Sequence, residues 1–138
     1  MKQFYACIDS FFPAPQPEQH QAIKRMALRE QGEIIFYGAE EYRFAHLQNF
    51  IIHKLKRTNN VNGVIFFTLN QFCYAESFNL KILMQIFDMG LSIHFAREDL
   101  SYAHPDAFLE HFYVVAAHFH GLKRRQKPKE IPCIFDVD

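Results

Sequence analysis

Apolar residues follow two alternating patterns along the chain. Short apolar runs, typical of buried strands, occur four times: Phe4–Ile8, Ile34–Tyr37, Val64–Leu69 and Leu91–Phe95. Apolar spacing of three or four residues, typical of helices, fills four other segments: 16–31, 43–57, 78–88 and 106 to about 126. Because strands that alternate with helices form parallel sheets through right-handed crossovers, we expect an α/β fold in three layers. It would have a mostly parallel sheet with helices on both faces.

Polar side chains are concentrated in the loops that follow the predicted strands. In such a fold, binding sites form outside the carboxyl ends of the strands. The loops at that edge carry carboxylates, amides and one arginine: Asp9, Glu40, Glu41, Asn70, Gln71, Arg97, Glu98 and Asp99. This combination could orient the hydroxyl groups of a sugar, or perform general acid/base chemistry. The alternative is that these residues face water and cap the following helices.

Histidines are candidates both for single site residues and for metal ligands. His20, near the start of the first helix, could donate a hydrogen bond or act as a base toward the Asp9 loop, or could be a partly exposed helix residue. Five of the eight histidines lie in the second half of the chain: His94, His104, His111, His118 and His120. None of them pairs with another at the i,i+4 spacing that chelates a metal, so we expect no metal site. A glycine-rich phosphate loop is also missing from the sequence, so we expect no bound dinucleotide or other cofactor.

Composition narrows the class of protein. The 138 residues include 15 Lys and Arg and 15 Asp and Glu, and the resulting net charge of zero weakens a nucleic-acid interpretation. The cysteines Cys7, Cys73 and Cys133 are widely spaced and form no CxxC pair, which favours reduced thiols over a disulfide framework or a zinc site. No apolar run approaches the roughly 20 residues of a membrane span, and the N-terminus does not resemble a signal peptide. We therefore expect a cytoplasmic protein with one domain over residues 1–127 and a tail over 128–138.

The last predicted helix carries an apolar seam. Its members follow one another at steps of four and three residues: Phe108, Phe112, Val115, Phe119 and Leu122. This spacing is typical of a coiled-coil contact, and neighbouring apolar residues widen the surface further. The seam could therefore pack on the chain's own sheet or on a second copy, and we expect a homodimer. The basic run over 123–129 could contact phosphate or be a solvated helix end.

Two strings carry a resemblance to a known fold family. The first strand ends in Tyr-Ala-Cys-Ile-Asp at residues 5–9, and Leu-Asn-Gln-Phe-Cys-Tyr follows at 69–74. Over roughly residues 4–125, these strings and the order of elements resemble the catalytic domain of serine resolvases. That domain has Tyr-Ala-Arg-Val-Ser and Leu-Asp-Arg-Leu-Ser-Arg at the corresponding places, and it dimerises through its long last helix.

The resemblance does not extend to the catalytic residues. Cys7 stands where the family has an arginine that stabilises the DNA phosphate, and Asp9 stands where it has the serine nucleophile. Phosphoryl transfer depends on cations that stabilise the developing negative charge. Ser10, as a nucleophile shifted by one residue, would lack those arginines. We therefore expect no recombinase activity.

Three further strings resemble a second family over residues 4 to about 100. Pro17–His20 (Pro-Glu-Gln-His) opens the first helix, Ala39–Tyr42 (Ala-Glu-Glu-Tyr) follows the second strand, and Gly63–Leu69 forms the third strand. They are similar to strings of the sporadic carbohydrate cluster proteins, which are encoded among bacterial genes for surface-carbohydrate synthesis, although Phe4-Tyr5 replaces that family's Gly-Tyr opening. The resemblance implies a role in lipopolysaccharide or capsule production. The resemblance also favours Glu40 and Tyr42 as site residues, because they lie in the second string.

The leading hypothesis is a non-recombinase protein of bacterial surface-carbohydrate biosynthesis. It would bind a sugar or nucleotide-sugar, or assist an enzyme that does, and we favour binding over catalysis. The candidate binding residues are Asp9, Ser10, His20, Glu40, Glu41, Tyr42, Asn70, Gln71, Arg97 and Glu98. One alternative is a catalytically degenerate recombinase-like module that dimerises or tethers DNA through residues 123–129. Another is an enzyme whose carboxylates, Asp9 and Glu40 among them, perform acid/base chemistry.

Overall fold

The chain forms an α/β structure. The computed structural model describes residues 1–10, 12–39, 48–58, 60–74, 77–111 and 135–136. The strands within these ranges are β1 Lys2–Ile8, β2 Gly32–Ala39, β3 Gly63–Phe66, β4 Cys73–Tyr74, β5 Ser77–Asn79, β6 Ser92–Phe95, β7 Leu100–Tyr102 and β8 Phe135–Asp136. The helices are α1 Gln16–Arg29, α2 Gln48–Arg57, α3 Leu80–Asp88 and α4 Pro105–Glu110, with a short 3₁₀ helix at Leu69–Phe72.

A mostly parallel sheet of five strands lies at the centre of the fold, in the order β2-β1-β3-β6-β7. The first four strands run parallel, and β7 pairs antiparallel with β6. The strand order reverses between β1 and β3, because β2 lies on one side of β1 and the later strands lie on the other. That reversal is a topological switch point, where the crevice at the carboxyl ends of the strands opens in α/β folds.

Two apolar clusters lie on opposite faces of the sheet. Alternate residues of β1 enter different clusters, because successive side chains of a strand point to opposite faces: Phe4, Ala6 and Ile8 into one, and Tyr5 and Cys7 into the other. The first cluster includes α1, and the second includes α2 and α3. Helices therefore cover both faces, and the predicted alternation of strands and helices is confirmed.

Helix α1 begins at the predicted Gln16 but ends at Arg29, two residues before the predicted end at Gln31. Pro17 lies in the first turn, where its missing N–H removes no intrahelical hydrogen bond. The buried residues recur at helical spacing along one face: Gln19, Ile23, Met26 and Ala27. The chain leaves the helix through Gln31, whose φ of 59° is left-handed, and Gly32 then starts β2. One face of α1 thus packs on the sheet, and its N-terminus follows the carboxyl end of β1.

Several predicted boundaries are wrong. The third strand ends at Phe66, and Leu69, predicted as its last residue, begins the 3₁₀ helix. Phe78, which the apolar spacing predicts in a helix, lies in β5 and pairs with Cys73 of β4. The helix starts only at Leu80, because the side chain of Asn79 accepts a hydrogen bond from the Ile82 N–H (3.2 Å) and caps it. The predicted loop over 97–104 contains β7, which a turn at residues 96–99 folds back onto β6.

The last predicted helix is described only at its start. Helix α4 covers Pro105–Glu110, and most of its predicted continuation lies outside the described residues, including Phe112, Val115, Phe119, Leu122 and the run 123–129. Phe108 has no exposed surface and packs on Tyr102, with ring centroids 5.1 Å apart. That residue of the predicted seam therefore belongs to the chain's own core. Within the described ranges, no helix is long and apolar enough to cross a membrane.

Candidate functional site

A buried glutamine side chain lies at the switch point. Gln71 is fully buried, and its Oε1 accepts a hydrogen bond from the Thr68 N–H (3.0 Å). Its Nε2 donates to the carbonyl oxygens of Ile8 (3.3 Å) and Cys7 (3.4 Å) at the end of β1. This amide therefore joins the carboxyl ends of β1 and β3 and satisfies their backbone groups, as buried polar atoms require.

Glu98 joins β3 to β6 in a similar way. One carboxylate oxygen accepts from the Thr68 hydroxyl (2.6 Å), and the other accepts from the Leu69 N–H (3.0 Å). Arg97 donates to the same carboxylate at 3.2 Å. The Glu98 side chain is only 6% exposed. The carboxylate thus holds the loop after β3 against the loop after β6.

The Asp9 loop is held by a residue of α1. Gln19 accepts a hydrogen bond from the Asp9 N–H (2.8 Å), and its Nε2 donates to the carbonyls of Asp9 (2.9 Å) and Ala14 (3.0 Å). Asp9 has no exposed surface, whereas Ser10 is exposed. The buried Gln19 therefore fixes the conformation of the loop between β1 and α1.

One guanidinium lies at the rim of this edge. Arg97 stacks over the Phe12 ring at 4.7 Å, and Phe12 meets Phe67 edge-to-face at 5.4 Å. The Arg97 side chain is partly exposed and remains paired with Glu98. Cation–π stacking and the ion pair together hold the guanidinium in place beside the switch point.

The structure brings together several of the sequence-predicted site residues. Gln71, Glu98 and Arg97 meet around Thr68, and the half-buried Asn70 donates its N–H to the Thr68 hydroxyl (3.3 Å). Most of the hydrogen bonds described here satisfy loop backbone atoms, which favours the interpretation that these loops are polar for structural reasons. Three candidates, Glu40, Glu41 and Tyr42, lie outside the described residues.

An open cleft of about 620 Å³ lies beside this edge, between α1 and the end of β2. Its lining residues come from one helix face and one strand: Gln16, Pro17, His20, Gln21, Lys24 and Tyr37. The rings of His20 and Tyr37 meet edge-to-face, with centroids 4.9 Å apart and planes 69° apart. Of the predicted site residues that the structure describes, only His20 lines this cleft.

An irregularity in β2 decides which aromatic side chain faces the cleft. Phe4 pairs with Ile34, but Tyr5 pairs with Phe36, so Ile35 is an extra residue and the register shifts by one. As a result Tyr37 pairs with Ala6, whose side chain is on the α1 face, and Phe36 stacks on Tyr5 on the opposite face. With regular pairing, Phe36 would have faced α1 instead. Sequence reasoning missed Tyr37 because an apolar run alone does not show such a shift.

A buried histidine network lies within the last two strands of the sheet. His94 is 3% exposed, its Nε2 lies 2.8 Å from the Ser92 hydroxyl, and its Nδ1 lies 2.8 Å from the Ser101 hydroxyl. Burial lowers the pKa of His94 from 6.5 to about 4, against the opposing influence of Glu30. The imidazole is therefore neutral near pH 7 and acts as a hydrogen-bonding link between β6 and β7. No group of three or more His, Cys, Asp or Glu in the described part of the chain is arranged to hold a metal ion.

Comparison with known proteins adds no assignment. No protein-family model matches the chain, and neither a curated protein nor a solved structure matches it.

Proposed function

We propose that this chain is a non-recombinase protein of bacterial surface-carbohydrate biosynthesis that binds a sugar or nucleotide-sugar in the cleft between α1 and β2. The observation that carries the proposal is the make-up of the cleft. Pro17 and His20 belong to the Pro-Glu-Gln-His string that resembles the sporadic carbohydrate cluster proteins, and both line it. The second string, Ala-Glu-Glu-Tyr, starts two residues after Tyr37 in the sequence. If the chain assists a biosynthetic enzyme, it would bind the same ligand.

The chemistry of the lining suits a sugar. The half-exposed ring of Tyr37 offers an apolar surface that can pack on the C–H face of a pyranose, and its hydroxyl adds a polar group. Gln16 and Gln21 supply amide donors and acceptors for sugar hydroxyl groups. A concave surface with an aromatic side chain and a few polar groups is typical of small-molecule sites.

The burial of two residues at the carboxyl end of β1 supports the non-recombinase part of the proposal. Cys7 and Asp9, which stand where resolvases have their arginine and serine, are both fully buried. The guanidinium of Arg97 is already paired with Glu98. A DNA phosphate at this edge would therefore meet neither an accessible nucleophile at position 9 nor an unpaired Arg97.

The same proposal includes the topology of the sheet and the oligomeric state of the chain. The four parallel strands have the order 2-1-3-4 of flavodoxin-like sheets, which agrees with a resolvase-like or flavodoxin-like topology.

A long C-terminal helix would continue α4 and form a homodimer through Phe112, Val115, Phe119 and Leu122. Sedimentation of the full chain should then give twice 16.3 kDa, and Phe112→Glu together with Phe119→Glu should give the monomer.

A thermal-shift experiment tests the ligand. The probes are glucose, galactose, mannose and N-acetylglucosamine, each as the free sugar, the 1-phosphate and a nucleoside diphosphate derivative. A ligand at 100 times its Kd adds about 2.7 kcal/mol to the free energy of unfolding, which raises the Tm by several degrees. We expect at least one probe to do so, and Tyr37→Ala to abolish the shift.

Phe36→Ala is the matched control. Phe36 is the neighbouring aromatic residue and equally exposed (48% against 47% for Tyr37), but it lies on the other face of the sheet. The ligand-induced shift should survive this substitution. The proposal fails if no probe raises the Tm, or if Tyr37→Ala leaves every shift intact. Retention of the chain on DNA at physiological salt would instead support the recombinase-like DNA-tethering alternative.

A further inference from the structure

The cleft between α1 and β2 carries one kind of charge. Among its described lining residues, Lys24 is the only lysine or arginine, and none of them is an aspartate or glutamate. Sites for neutral sugars commonly use carboxylates, because an ionised carboxylate accepts hydrogen bonds from hydroxyl groups. This cleft has no described carboxylate, and its donors are the Lys24 ammonium, the amide NH₂ groups of Gln16 and Gln21, and the imidazole of His20.

The position of Lys24 places its charge beside the ring pair. His20 and Lys24 are four residues apart on α1, so they are neighbours on one helix face. The ring of Tyr37 lies against His20 from the strand side. A ligand whose ring packs on Tyr37 would therefore extend along α1 toward the ammonium group.

Lys24 has no competing partner within the described ranges. The ion pairs found there join Arg29 to Asp99, Arg97 to Glu98, and His94 to Glu30, and none includes Lys24. An ammonium without a carboxylate partner can bind an anion without first losing an ion pair. Lysine binds phosphate as a point charge on a flexible stem, which suits a rim position in an open cleft.

We infer that the ligand carries a phosphate group on its sugar, and that Lys24 binds this phosphate while Tyr37 packs on the sugar ring. The inference rests on the proposed function, and it narrows the ligand from sugars in general to sugar phosphates, either free or as part of a nucleotide-sugar. The shared chemistry is a phosphate attached to the sugar's anomeric oxygen.

Isothermal titration of the full chain with the twelve probes tests this inference. The 1-phosphate or nucleoside diphosphate form of at least one sugar should bind about 10- to 100-fold more tightly than the free sugar, the range expected for a charge-assisted contact. Lys24→Gln should remove that preference. Raising the salt from 50 to 200 mM should weaken the phosphorylated probe more than the free sugar, because salt screens exposed charges.

Arg25→Gln is the matched control, because it removes the same charge from the next residue of the same helix. Arg25 is exposed and does not line the cleft, so its substitution should change the Kd by less than twofold.

Equal affinities for 1-phosphate and nucleoside diphosphate forms would identify the sugar phosphate as sufficient, and tighter binding of the diphosphate form would identify the nucleotide-sugar as the ligand.

The two levels of the proposal fail in different ways. If a free sugar binds as tightly as its phosphate, or if Lys24→Gln leaves the preference unchanged, the phosphate inference is overturned. The proposed function survives that result as long as Tyr37→Ala abolishes binding. If inorganic phosphate alone competes as well as the sugar phosphate, the sugar contact with Tyr37 is overturned. If none of the twelve probes binds, both are wrong.

Discussion

At the scale of single residues, the buried polar side chains mainly hold backbone atoms. Gln71 spans two strand ends, and replacing it by the similarly shaped methionine would leave the Thr68 N–H and the Ile8 carbonyl without their partner. We expect Gln71→Met to lower the free energy of unfolding by about 1–3 kcal/mol, the cost of unsatisfied buried groups. Urea unfolding measures this value, with Gln85→Met on the exposed face of α3 as the control, expected within about 0.5 kcal/mol of wild type. Equal stability of all three proteins would contradict the bridging role of Gln71.

His94 predicts a dependence of stability on pH. The unfolded chain binds a proton at this residue near pH 6.5, but the folded chain does so only near pH 4, because burial disfavours the charged form. Between these values the unfolded state holds more protons, so the His94 contribution to the free energy of unfolding is fully present above pH 6.5 and is lost as the pH drops toward 4. The shift of the His94 pKa corresponds to roughly 3 kcal/mol of unfolding free energy.

A substitution isolates that contribution from the other titrating groups. Urea unfolding at pH 7 and pH 4 should show a loss for wild type that exceeds the loss for His94→Gln by roughly 3 kcal/mol. Glutamine keeps hydrogen-bonding atoms for Ser92 and Ser101 but does not titrate. Parallel pH profiles for the two proteins would mean that His94 titrates normally in the folded state.

At the scale of elements, the packing of β7 against α4 leaves one polar atom without a partner among the described residues. The hydroxyl of the buried Tyr102 accepts and donates no hydrogen bond there, and burial raises the pKa of Tyr102 to about 12. Tyr102→Phe removes a desolvated hydroxyl while keeping the ring contact with Phe108, so we expect a gain of about 1 kcal/mol in unfolding free energy.

Tyr37→Phe is the control for the unfolding free energy of Tyr102→Phe. The hydroxyl-bearing side chain of Tyr37 is half-exposed, so its loss should change thermal stability by less than about 0.5 kcal/mol in the absence of ligand. A clear loss of stability in Tyr102→Phe would show that its hydroxyl has a partner in a segment outside the described ranges.

Elements built from strong local patterns could be predicted from the sequence. Continuous apolar runs located β1, β3 and β6, and the proline and the helical spacing of apolar residues located α1. The short strands β5 and β7 could not be found, because each depends on pairing with a neighbouring strand rather than on its own residues. Ser101, a polar residue in the middle of β7, gave the sequence the appearance of a loop.

Less of the candidate site than of the fold could be predicted from the sequence. The loops after the strands were identified, and Gln71, Glu98 and Arg97 do meet there. Whether such groups are open to a ligand or satisfied by backbone atoms depends on loop geometry that composition does not reveal. Tyr37 reaches the cleft only because of the one-residue shift at Ile35.

At the scale of the whole molecule, the switch point and the cleft have different roles. In α/β sheets ligands generally bind in the crevice at the switch point, but here the buried side chain of Gln71 joins β1 to the loop after β3 at that point through hydrogen bonds. The open concave surface lies one strand away, between α1 and the outermost strand β2. We therefore propose that the ligand binds at the edge of the sheet, against His20 and Tyr37.

Mapping the amide shifts of isotopically labelled protein by NMR tests this placement most directly, using the sugar probe that binds most tightly. We predict that the largest changes occur at residues 16–24 and at Tyr37 and Gly38, and that the amides of Thr68 and Gln71 change little. Changes centred on Asp9, Thr68 and Gln71, with none along α1, would place the ligand at the switch point and contradict the account.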